Sequence, residues 1–220
     1  MGAFFLHYLF VHDYDILSST NLNLTKECDC MAFIKWLRIL AYVAIISLIN
    51  SVVDYLPFVP ASISTWVSRG IMAATIYCMF NLSRENNRYK KAAIFRTVFL
   101  GCALITSLLF GSYLLSIAAS ICSIVAVYQE YAAHSEVVAE KDMALSRKWR
   151  NLFYWEFIAA ILLSLGSSVA AVILMSYEFP VNASRVSSIF ILLLNIPQFF
   201  IQLVRLQYLN KMISLFLADE

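Results

Sequence analysis

Charge is what this sequence has least of. Only 14% of its 220 residues are Asp, Glu, Lys or Arg, against about a quarter in a soluble domain, so a water-soluble fold would have no polar surface with which to cover itself. Histidine is scarcer still, with three residues, two of them in the first dozen positions, so an H-E-x-x-H metalloprotease site cannot be built. No G-x-S-x-G elbow and no Walker-type phosphate loop occurs, which disfavours an enzyme and means that a nucleotide-driven pump would need a separate ATPase subunit. The five glycines include no G-x-x-x-G pair, so a dimer face of that type is not indicated. Cysteines number five, an odd count; Cys78, Cys102 and Cys122 fall in apolar runs as small apolar residues, and no disulfide framework is implied. Cys28-Asp29-Cys30 is too closely spaced for a C-x-x-C zinc or redox motif. No metal and no cofactor is expected, and a net charge of +2 is too small to suggest nucleic acid.

What is present is hydrocarbon. Hydrophobic residues make up 61% of the chain, and the mean hydropathy is +0.76. Charge-free runs cover 39–53, 70–83, 97–129, 157–177 and 186–204, where a helical membrane span needs roughly 20 mostly apolar residues. Runs such as Ile158–Leu165 and Ile189–Leu194 do not alternate, as the strands of a β-barrel would. The expected fold is therefore all-α: a polytopic integral membrane bundle of six transmembrane helices arranged as three hairpins.

The spans fall at about 33–53, 62–83, two within 92–133 joined at Gly111-Ser112, 152–175 and 186–204. Lys and Arg accumulate in short cytoplasmic loops. With the N-terminus inside, this partition puts fourteen of the sixteen basic residues on the cytoplasmic side, leaving only Arg69 and Arg185 outside. Reading 92–133 as one helix would weaken that bias. Residues 1–30 read as a cytosolic tail, or as the product of a misassigned start, since Met31 opens a natural first helix. Residues 31–205 form the membrane domain. In 206–220, Leu206, Leu209, Met212, Ile213 and Phe216 have helical spacing, which suggests an amphipathic cytosolic tail lying along the inner leaflet. A multi-pass cell-membrane protein with both termini in the cytoplasm, of bacterial type, fits the short loops.

Polar residues inside spans are the candidate functional set. Asn195, Gln198, Gln202 and Arg205 share one stripe of the sixth helix. Pro197 within it removes the donor for the Leu193 carbonyl, as often happens beside transporter binding sites. Such a stripe serves either interhelical hydrogen bonding, which ranks first, or the lining of a polar cavity, and Asn50 lies on a similar stripe of the first helix. Asp54 and Arg69 are placed to form a structural ion pair across the first hairpin. Glu156 would be neutralised at the inner boundary by Lys35, Arg38 or Arg205. His134 stands one turn beyond Glu130, a weak metal-like spacing, in a loop of balanced charge (130–151) that reads as a solvated helical extension able to dock a partner.

The chain resembles, in size and span number, the six-helix substrate-binding subunits of energy-coupling-factor vitamin transporters, a likeness of architecture that covers no motif. The leading reading is a small-solute-binding or transport-associated membrane subunit in contact with the lipid bilayer, its ligand unspecified. A structural or regulatory subunit docking a membrane or cytosolic protein through 130–151 comes second, and an intramembrane enzyme third.

Overall fold

The computed structural model describes residues 31–53, 60–108, 113–176 and 180–218. Among them are six helices and no strand. They are α1 (Met31–Val53), α2 (Ala61–Leu82), α3 (Asn87–Leu108), α4 (Tyr113–Ala139), α5 (Met143–Ser176) and α6 (Pro180–Leu217). The all-α expectation holds. Among the described residues, two helices are long and apolar enough to cross a membrane, α1 and the Leu114–Ala139 stretch of α4. The tail 1–30, the Gly111-Ser112 turn and Asp54 lie outside the described residues.

Local chemistry sets the helix boundaries. Asn86 caps α3, its Oδ1 accepting from the Arg88 amide at 2.8 Å, and Asp142 caps α5 by accepting from the Leu145 amide at 2.9 Å. Between α4 and α5 the chain reverses within three residues, with the amides of Lys141 and Asp142 both donating to the Val138 carbonyl, at 3.0 and 2.8 Å. Pro180 opens α6, where its missing N–H is one that no helix satisfies. The helix then runs through Pro197 to Leu217. Its 38 residues and the 34 of α5 correspond to about 57 and 51 Å, against a hydrocarbon layer of about 30 Å.

Neighbouring helices are antiparallel. As α3 advances from Arg88 through Tyr89 to Arg96, its partners on α4 step back from Glu136 through His134 to Glu130. Trp36 meets Tyr77 between α1 and α2, Tyr128 meets Phe153 between α4 and α5, and Trp149 meets Tyr208 between α5 and α6. Phe33 and Phe216, 5.1 Å apart, join α1 to α6 and close the ring.

The core occupies one end of this bundle. Leu37, Leu40, Met79, Leu82, Tyr89, Tyr131, Leu145, Trp149, Leu209 and Met212 are almost wholly buried, and they come from the start of α1, α3 and α5 and the end of α2, α4 and α6. This is the end that carries the basic residues. Toward the other end apolar side chains face outward, among them Ile46, Ile49, Val52, Trp66, Ile121, Leu162, Leu165, Val169 and Phe200. The segment after 205 is continuous with α6, and Leu209, Met212, Ile213 and Phe216 are buried in the core, so its apolar stripe faces the bundle instead of lying on a leaflet. The spacing alone does not distinguish these two uses of an amphipathic helix. Nor is 130–151 a purely solvated extension, since His134, Ser135, Val138, Leu145, Ser146 and Trp149 are buried. Only its outer face, with Glu136, Glu140, Lys141, Arg147 and Lys148, is exposed.

Candidate functional site

Four helices each place one charged residue a few turns inside the core end. Arg96 on α3, Glu130 on α4, Glu156 on α5 and Arg205 on α6 are 9 to 13 residues from the helix ends at Asn87, Ala139, Met143 and Leu217. At about 1.5 Å per residue this is a common depth of roughly 14–20 Å.

Glu130 is the hub. Its carboxylate is completely buried, with one oxygen bound by the Arg96 guanidinium and the other by that of Arg205. Tyr131, one residue on, donates to Oε2 of Glu156, and the Arg205 guanidinium lies 5.7 Å from the Tyr131 ring centre. Two guanidiniums are thus matched by two carboxylates. That balance is what permits the charges to be there, because a buried charge without a partner is strongly destabilising. Of the three cations expected to neutralise Glu156, Lys35 and Arg38 are exposed, and Arg205 is the one that acts on it electrostatically while its guanidinium binds Glu130 and the Tyr131 phenol holds the Glu156 carboxylate.

Beneath the hub lies an aromatic layer. His134 stacks on Trp149, with ring centres 4.5 Å apart and planes 28° apart, and its Nδ1 is 2.8 Å from the Tyr89 hydroxyl. Burial above all, then the negative charges of Glu130 and Glu85, push the Tyr89 phenol well up, so it keeps its proton. The His134 Nε2 faces Glu130 at 3.9 Å, too long for a hydrogen bond. The His134 and Glu130 spacing that resembles a metal pair is therefore occupied by arginines and a stacked ring, and no group of three or more metal-ligating side chains occurs among the described residues.

Above the hub, toward the apolar end, opens a cavity of about 290 Å³ bordered by all six helices. Arg96, Glu156, Gln202 and Arg205 form its floor, and Ser47, Asn50, Ser68, Thr75 and Ser123 its polar walls, with Leu40, Val43, Met72 and Val127 between them. Asn50 is fixed by donating to Ser68 Oγ at 3.0 Å. Of the residues that the sequence singles out, Asn50 and Gln202 therefore share one chamber although they lie on the first and last helices. Asn195 and Gln198 are half-buried on α6 but do not border the chamber. The ion pair expected of Asp54 and Arg69 has one partner outside the described residues, and the Arg69 guanidinium lies 4.9 Å from the centre of the Trp66 ring.

Five buried side-chain polar atoms among the described residues have no hydrogen-bond partner: Nε of Arg96, Nε of Arg205, Nε2 of His134, Nε1 of Trp149 and Oε1 of Gln198. Native interiors leave few such groups. Here they gather at the hub, just beneath it, and one turn from Gln202. No protein-family model, no curated protein and no solved structure matches this chain.

The sequence places Arg205 on the polar stripe of the last helix, but it presents Arg96 as a topological marker and leaves Glu130 in a solvated loop. The signal that distinguishes them is depth. Each of the four hub residues lies several turns inside a helix and faces a partner on another helix.

Proposed function

We propose that this protein is a six-span membrane protein whose central chamber binds a small polar solute, acting as a solute-binding or transport-associated subunit without an enzymatic activity of its own. The observation that carries the reading is the chamber itself. In a chain with so little charge, two arginines, a glutamate and two amides border one cavity reached by every helix, and buried polar groups inside a membrane mark substrate paths and binding sites. A volume of about 290 Å³ lies at the lower end of the roughly 300–1,000 Å³ usual for ligand sites, which suits a small solute.

Membrane residence is supported by where the apolar surface lies. Soluble monomers rarely expose apolar patches beyond a few hundred Å², yet large apolar side chains face outward along α1, α2, α4, α5 and α6. The most apolar windows of α1 and α4 are only 33% and 22% buried, whereas the core helix of a soluble protein would be mostly covered. The basic residues gather at the opposite, well-packed end, as the positive-inside rule requires of a cytoplasmic face.

Two experiments test this. In a cysteine-free background in intact cells, a membrane-impermeant thiol reagent should label single cysteines at Ser112 and Ala183 but not at Arg84 or Glu140; labelling at Glu140 would overturn the six-span topology. In lipid nanodiscs, Asn50→Leu with Gln202→Leu should abolish any ligand-induced thermal shift while leaving the unliganded midpoint within a few degrees of wild type. A collapsed midpoint would identify the polar stripe as packing.

A further inference from the structure

The chamber's electrostatics restrict what it can hold, and the class of solute deduced from them rests on the cavity reading above. The protein's own charges at the hub already cancel, Arg96 and Arg205 against Glu130 and Glu156. A solute with a net charge would leave that charge uncompensated beside the balanced hub, where the remaining lining, hydroxyls and an amide among apolar side chains, carries no charge. The solute should therefore be neutral overall.

Neutrality alone would admit a sugar or polyol. The hub, however, offers unspent hydrogen-bonding capacity of both kinds. Each guanidinium uses one nitrogen on Glu130, and its Nε–H is buried without an acceptor. On the other side, the Glu156 carboxylate and the Gln202 side-chain amide border the same cavity. Residues with charged donors and one with a charged acceptor border one small space. We infer that the chamber takes a small carboxylate–ammonium zwitterion of the amino-acid class, its carboxylate toward Arg96 and Arg205 and its ammonium toward Glu156. Guanidinium pairs suit a planar carboxylate, and an ammonium suits a carboxylate and an amide oxygen. A zwitterion supplies both while keeping the total charge at zero.

The test uses the full chain in lipid nanodiscs, with thermal shift and equilibrium binding read for four sets of probes: small L-amino acids, their N-acetyl derivatives, their methyl esters and uncharged polyols. The expected result is stabilisation by one or more of the amino acids. The N-acetyl and ester forms, each carrying a net charge, should bind about a hundredfold more weakly, and the polyols should be without effect. Glu156→Gln removes one negative charge and should invert the order, so that N-acetyl anions bind more tightly than zwitterions. Binding of polyols or N-acetyl anions in preference to amino acids by wild type would overturn the zwitterion inference and leave the cavity reading standing. Failure of all four sets would overturn the cavity reading and the inference with it. The wild-type selectivity decides between these results even where Glu156→Gln does not assemble.

Discussion

Glu130→Gln is the substitution with the largest expected effect. The side chain is completely buried, and each of its two oxygens is bound by a different guanidinium. Glutamine is nearly isosteric, so the change removes charge without opening a cavity. What is left is two largely buried guanidiniums facing each other across an amide, with only Glu156 nearby to offset them. Breaking a buried ion pair from one side costs about 3–5 kcal/mol, and the two charge-assisted hydrogen bonds lost here fall within that figure. For a chain of this size each kcal/mol moves the midpoint by about 2–4 °C, so a fall of roughly 6–20 °C is expected in a nanodisc-reconstituted thermal melt. The companion variant makes the reasoning refutable. Adding Arg96→Met to Glu130→Gln restores the match of one remaining arginine to one remaining glutamate, so the double variant should recover at least half of the loss. A shift under about 2 °C for Glu130→Gln, or a double variant whose losses simply add, would show that charge balance is not what holds the hub together.

Tyr131→Phe removes the donor to Glu156 and leaves a carboxylate without that hydrogen bond, a loss of about 1–3 kcal/mol measurable as a lowered midpoint. Met212→Ala empties a fully buried position and should cost about 2–5 kcal/mol, whereas Asn210, exposed on the other face of the same turn, should tolerate alanine; equal and small effects would return the segment after 205 to a surface role. Asp142 has its carboxyl held below the usual 3.8, first by the Leu145 amide and then by Lys211. A depressed folded value means that its stabilisation is complete above the unfolded value and is lost as pH falls through the lower folded one. Asp142→Asn, which keeps a capping oxygen but not the charge, should flatten the acid side of a stability–pH profile.

How far the sequence can be read depends on which physical signal each feature leaves. Helix content shows in apolar run length, and the α3–α4 break in a run too long for one span, so both are legible. The inner helix extensions are not, because the charged faces around Glu136, Glu140, Arg147 and Lys148 resemble a solvated loop until His134, Val138, Leu145 and Trp149 are seen on the opposite side. Asn50 and Gln202 stand out as polar residues in apolar helices. That they border one chamber depends on α1 and α6 being neighbours, a contact between distant parts of the chain that no local pattern encodes. The hub is half legible: Arg205 stands out on the polar stripe and Glu156 as a carboxylate in need of a cation, whereas Arg96 reads as an orientation signal and Glu130 as part of a solvated loop, because their partners sit on other helices.

The pairing of α1 with α6 sets the order of assembly. Phe33 meets Phe216, and the shared core draws on Leu37 and Leu40 from the first described helix and Leu209 and Met212 from the last. During synthesis at about 5–20 residues per second, α1 emerges on the order of ten seconds before its partner. In that interval α1 has α2 for a partner, through Trp36 and Tyr77 and Asn50 and Ser68, while Phe33 waits for Phe216 and the Arg96–Glu130 pair for Arg205. The last turns of α6 therefore act as a keystone: the ring is a chain of hairpins until they arrive, and a single closed body only afterwards.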